Sequence, residues 1–276
     1  MQAFFKNICT KNRKIPFLLV PRRQTKYNKS KCAAIFRLTG GAADQNGKAD
    51  FFMGLMDKRT LLVWLLRALV MLVAIPVHEA AHALVSAKLG DTTAKDRGRL
   101  TLNPMAHFDL PGALCMIFTG IGWAKPVPTY ASRFKNPKAG MALTAAAGPA
   151  ANLLVAFVAV LLYKILYYTL PASAAINFLL LFLEYMASIN TMLAVFNLLP
   201  VPPFDGSRIV TVFLPRHTYF KLMQYERYIF IAVFLLLFLG FLDGPLYRLN
   251  SLVWDGLMWA TSFVDRAVFA LAGVSV

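Results

Sequence analysis

Apolar residues in this chain fall into long blocks rather than at the spacing of an amphipathic helix. The first block runs from about Leu61 to Ala87, the next from about Met141 to Tyr168, and a third from about Ala175 to Leu199. Each is long enough to cross a hydrocarbon core about 30 Å thick as a helix. A fourth, Tyr228 to Leu242, is shorter but strongly apolar, and Leu252 to Leu271 carries Asp255, Asp265 and Arg266. That last stretch suits the membrane interface or a weak span. The pattern predicts an all-α membrane protein, a polytopic bundle of about four to six transmembrane helices with four as the central value.

Between the first two blocks lies Leu110 to Trp123, interrupted by Gly112, Gly120 and Gly122 and followed by Ala124-Lys125-Pro126-Val127-Pro128. It is too short and broken for a span. Irregular backbone at membrane depth must be shielded by protein or line a wet cavity, so a re-entrant hairpin is expected here. Ala145 to Ala151, at the start of the second span, is rich in small residues that let helices approach closely.

Composition agrees. Hydrophobic residues make up 58% and charged residues 15%, against about a quarter charged in soluble domains. The net charge of +16 would suggest nucleic acid in a soluble protein. Here no aromatic-basic module accompanies it, and anionic headgroups explain the basic loops, so no nucleic-acid partner is expected. Cys9, Cys32 and Cys115 are odd in number and far apart, which argues against a disulfide framework or a thiolate metal site.

Residues 1–52 form a basic arm, expected to be poorly ordered or surface-lying; 53–242 form the core, and 243–276 a membrane-associated C-terminal segment. The 88–139 and 200–227 connections are basic, whereas 169–174 carries no charge. Basic loops mark the cytoplasmic side, so the His78 end of the first span is expected to face the cytoplasm. That orientation places the strongly basic N-terminal arm outside. Either the arm reverses the topology, or an additional re-entry brings it back, or it lies outside the working protein, with translation beginning at Met53 or Met56.

The sharpest chemical signal is His78-Glu79-Ala80-Ala81-His82. Residues four apart share a helix face, so both imidazoles can reach one metal, with Glu79 beside them as a base. Three ionisable residues in five positions of an apolar span are costly and mark a functional site. Catalytic zinc takes three protein ligands and keeps a position open. His107 and His217 are candidates for the third ligand but sit in polar loops. Asp205 is better placed, after prolines that end the third span and before Gly206, which permits a tight turn. An Asp-Gly surface turn has the same composition, so residue types alone leave this choice open. Asn190 and Asn197 are polar groups within a span, suited to interhelical bonds or substrate contact, and Glu184 is either a buried functional acid or one that snorkels or pairs with a neighbouring group. His107 and Asp109 read as a solvated loop pair.

In this order the motifs resemble those of the site-2 proteases, which are intramembrane zinc metalloproteases. They are the HEAAH helix, Gly98 to Pro104, Gly122 to Pro128, Gly148-Pro149-Ala150-Ala151-Asn152 and Asn197 to Gly206. The resemblance covers roughly residues 60–215 and leaves no room for a PDZ domain between catalytic spans, as in short-form members. It implies one Zn2+ per chain held by His78, His82 and Asp205, with Glu79 as general base and Asn152 in substrate binding. It also implies transmembrane protein substrates, a bacterial cytoplasmic membrane, and a substrate-presenting role for the 122–128 hairpin. A non-hydrolytic metal-binding protein or transporter is the alternative, but it gives no reason for Glu79 between the histidines.

Overall fold

A computed structural model describes residues 58–119, 123–213 and 224–271. The basic arm of residues 1–52, the two candidate start methionines and His217 lie outside them. All regular structure among the described residues is helical. Helix α1 spans Lys58–Lys88, and a short α2, Thr93–Asp96, follows it. Then come α3 Leu110–Thr119, α4 Pro137–Thr169 and α5 Ala174–Asn197. The chain continues with α6 Asp205–Val210, α7 Glu226–Phe238, α8 Asp243–Ala260 and α9 Ser262–Leu271.

Three helices are long and apolar enough to cross a membrane: Thr60–Lys88, Pro137–Thr169 and Ala174–Asn197. They coincide with the first three apolar blocks. The fourth block forms α7, whose 13 residues extend only about 20 Å at 1.5 Å each. Local signals set the boundaries. Asn136 caps α4 by accepting from the Ala139 amide, ahead of Pro137 at the first helical position. Ser173 accepts from the Ile176 amide at the start of α5.

α4 is the central helix, packed against both α1 and α5. The core between them joins Val70 and Ala74 of α1, Ala159 and Val160 of α4, and Leu183, Met186 and Ala187 of α5. Three of these seven are alanines, which allow close backbone approach where lipid supplies no hydrophobic drive between helices. Outward positions such as Leu65, Leu154 and Phe178 remain exposed, as a lipid-facing surface requires.

The segment expected to re-enter does fold back on itself. α3 runs out beside α1, and the chain returns as a limb without regular structure from Trp123 to Thr129. Gly112 makes this possible: a Cβ there would lie 2.2 Å from the Trp123 carbonyl oxygen. Deep on α1, Arg67 donates to the Ile117 carbonyl at 3.3 Å, and Trp64 meets Phe118 edge-on at 5.0 Å. Arg67 thereby satisfies a carbonyl in the last turn of α3, where the helix dipole favours a cation.

The C-terminal stretch docks through a buried charge that composition alone does not reveal. Lys164 of α4 is fully buried and donates to Asp265 of α9 at 2.7 Å, while the Tyr168 hydroxyl donates to the same carboxylate at 3.1 Å. Breaking a buried pair by removing one partner costs roughly 3–5 kcal/mol, whereas replacing both with apolar groups is near neutral. Lys164→Met is therefore expected to lower thermal stability in detergent, and adding Asp265→Leu to restore most of it. Equal loss in the single and double variants would show that the pair is not the cause.

Candidate metal centre

His78 and His82 lie one helical turn apart on α1, and His82 is about 9 Å along the axis from Lys88. Their Nε2 atoms are 3.0 Å apart. The Asp205 Oδ2 lies 3.2 Å from the first and 3.3 Å from the second. Both histidines are buried. These three residues form a group whose donor atoms all lie within 4.8 Å of one another, close enough to hold a metal ion. A tetrahedral zinc with ligands at about 2.0–2.1 Å keeps its donor atoms roughly 3.3 Å apart, so the triangle matches that demand.

Each donor is aimed by something specific. His82 Nδ1 donates to the Thr144 carbonyl at 2.7 Å, which fixes the tautomer with the Nε2 electron pair facing Asp205. That carbonyl belongs to α4, next to the Ala145 carbonyl, which the missing N–H of Pro149 leaves without a helical donor. Gly148 lets α4 come this close. A Cβ there would lie 2.4 Å from His82 Nε2 and 2.5 Å from His78 Cε1.

Asp205 is brought in by the loop after α5. Phe204 packs edge-on against Phe196 with ring centres 4.5 Å apart. The short helix α6 then begins at Asp205 and rests on α4. Gly206 serves close approach, since a Cβ there would lie 2.3 Å from the Leu198 carbonyl oxygen.

A cavity of about 330 Å³ opens onto the three donors. Glu79 lines it and is half-buried. Asn152, one turn beyond Gly148 on α4, is fully buried in its wall, and among the described residues neither its amide nitrogen nor its oxygen has a hydrogen-bond partner. The returning limb adds Ala124, Pro126, Val127 and Thr129 to the lining, and α7 adds Phe230, Val233 and Leu237. Asn197 also lines the cavity while its amide donates back to the Leu193 carbonyl.

A relative from Bacillus subtilis (strain 168), "Putative zinc metalloprotease YwhC", is 42% identical over 170 residues, which is 61% of this chain and 77% of that protein. This chain belongs to peptidase family M50. The family model for these peptidases matches residues 164–240, which include the Asn197 to Gly206 segment. "Putative zinc metalloprotease Rip2" of Mycobacterium tuberculosis (strain ATCC 25618 / H37Rv) is 29% identical over 66% of this chain and 71% of its own length. No solved structure matches the chain. This M50 chain is thus a member of the site-2 protease family.

Not every candidate joins the centre. His107 is not the solvated loop residue expected from its neighbours. It is fully buried, with Nε2 donating to the Thr101 carbonyl at 2.8 Å, and it stands at the neck of the folded-back element, apart from the three donors. Asp109 accepts from the Gly112 amide at the start of α3. Asn190 is buried and bonds to Met186 of its own helix, and Glu184 is exposed on α5. The small-residue stretch that holds Gly148 was read as a site of close helix approach, but sequence reasoning gave no role to Thr144, which aims His82, nor to Arg99 and Asp91, which hold the returning limb.

Proposed function

We propose that this M50 chain is an intramembrane zinc endopeptidase, with His78, His82 and Asp205 holding one zinc and Glu79 acting as general base. The observation that carries the reading is the donor triangle, closed to about zinc-ligand spacing, on a span whose Glu79 lines the same cavity. When bound, zinc polarises a carbonyl and acidifies water. Glu79 takes the water proton and returns it to the leaving amine. Asn152, with both polar atoms unsatisfied, binds the backbone of an unwound substrate segment. The half-open cavity admits a chain whose own helical hydrogen bonds have been released, because a helical carbonyl is otherwise occupied. Substrates are therefore transmembrane proteins. The basic 88–139 and 200–227 connections support a centre facing the cytoplasm of a bacterial cell.

Metal removal tests this. The purified protein is expected to carry one zinc per chain by elemental analysis. A chelator should abolish cleavage of a transmembrane test helix, and added zinc should restore it. Helices with Gly, Pro or Asn near the scissile bond should be cut faster. Bound zinc without any cleavage would favour the metal-handling alternative.

A further inference from the structure

Arg99 is a buried cation with 7% exposure and no carboxylate within ion-pair distance among the described residues. Its guanidinium is committed to main-chain carbonyls instead. Nη1 donates to Ala106 at 2.7 Å, and Nη2 donates to Lys125 and, at 3.4 Å, to Pro126. Ala106 precedes α3 and Lys125–Pro126 follow it, so one side chain bridges the two limbs where the element begins and ends. The Lys125 amide completes the neck by donating to the His107 carbonyl at 2.9 Å. Gly98, with φ of +67°, reverses the chain immediately before Arg99.

Four residues after the neck, the limb is tied again. The Tyr130 amide donates at 2.6 Å to Asp91, a fully buried carboxylate that also accepts from the Thr93 amide at 3.1 Å. Burial pushes the Asp91 carboxyl up, but the Thr93 hydroxyl, then the Tyr130 and Thr93 amides and the Arg133 charge, outweigh it and hold the group below its usual range. Between the two ties lie Val127, Pro128 and Thr129, and Val127 and Thr129 line the cavity that also holds the three donors. A backbone with no regular ladder of its own keeps its place only through such side-chain ties. The planar fork of arginine can reach several carbonyls at once, which the single ammonium of lysine cannot.

We infer that Arg99 is a positioning residue for substrate: it clamps both limbs of the folded-back element and so fixes the 125–129 segment against which a substrate chain is held. The inference rests on the protease reading above. It separates from a general folding role through its kinetic signature, because the zinc donors are held by α1, α4 and α6, none of which Arg99 bonds.

The test uses the full chain, zinc-loaded in detergent, with a cleavable transmembrane peptide. Arg99→Gln is expected to raise KM about tenfold or more with kcat changed less than about threefold. Arg99→Lys should fall between it and wild type, and zinc content should be unchanged in both. Arg97→Gln, at an exposed neighbour, should match wild type. A second readout needs no activity. With Cys9, Cys32 and Cys115 replaced by serine, a Val127→Cys probe should react several-fold faster with a maleimide when Arg99→Gln is added. Wild-type KM and labelling in Arg99→Gln would overturn the inference. So would loss of zinc in both Arg99 variants, which would assign the residue to folding alone. If the wild type cleaves nothing, the protease reading fails, and the labelling rate still decides whether Arg99 places the limb.

Discussion

Glu79→Gln is expected to lower kcat/KM for a transmembrane substrate by about 10²–10⁴-fold while leaving one zinc per chain. The two halves of this result come from different atoms. The donors are His78, His82 and Asp205, whose ligand atoms lie 3.0 to 3.3 Å apart and do not include Glu79. Glutamine is nearly isosteric, so the helix and the cavity wall keep their shape. What is lost is a carboxylate that can accept a proton from water and pass it to the leaving amine. The loss should fall on kcat rather than KM, since the proton moves only in the transition state. Rapid-quench or fluorescence kinetics on purified protein, paired with elemental analysis, measure both halves. A variant that lost its zinc would place Glu79 among the structural supports of the donors. A variant with undiminished kcat would remove it from the chemistry.

Gly148→Ala carries the second large effect, and its sign opposes the usual one. Replacing a mid-helix glycine with alanine ordinarily stabilises a helix by roughly 0.5–1 kcal/mol. Here the added methyl would lie 2.4 Å from His82 Nε2 and 2.6 Å from His78 Nε2. The cheapest relief is rotation of the imidazoles, which breaks the donor triangle and the His82–Thr144 bond that aims it. Zinc affinity is expected to fall at least about 100-fold, with cleavage lost in parallel, while the helix content stays that of wild type. Gly244→Ala is the control, since a Cβ there meets nothing within 4 Å. Competition with a fluorescent chelator gives the affinities. Full zinc binding in Gly148→Ala would show that α1 and α4 do not need this close contact.

How much of this was legible in sequence follows from where each partner lies. The HEAAH pair could be read directly, because residues four apart meet on one helix wherever the helix sits. The three long spans were equally plain from their apolar blocks. Asp205 was harder, since its approach depends on α6 resting on α4 and on Phe204 packing against Phe196, neither of which leaves a local pattern. Asn152 came only from the family resemblance; its burial and unsatisfied atoms belong to the assembled cavity.

The failures have one physical cause. His107 lies among polar loop residues and reads as solvated, yet the fold-back of α3 covers it. Arg99 and Asp91 act on main-chain atoms 26 and 39 residues away, and a backbone carbonyl or amide gives no residue-type signal. Lys164 pairs with Asp265 across 101 residues. A lone lysine inside an apolar block was the available clue, because an intramembrane charge demands a partner.

The central claim is that peptide bonds within membrane-spanning segments are the substrate. It is tested most directly by mapping new protein termini in membranes from cells carrying either the wild-type chain or Glu79→Gln. The account predicts termini inside spanning segments, present with wild type and absent with the variant. Termini confined to segments outside the membrane, or equally abundant with both proteins, would contradict it.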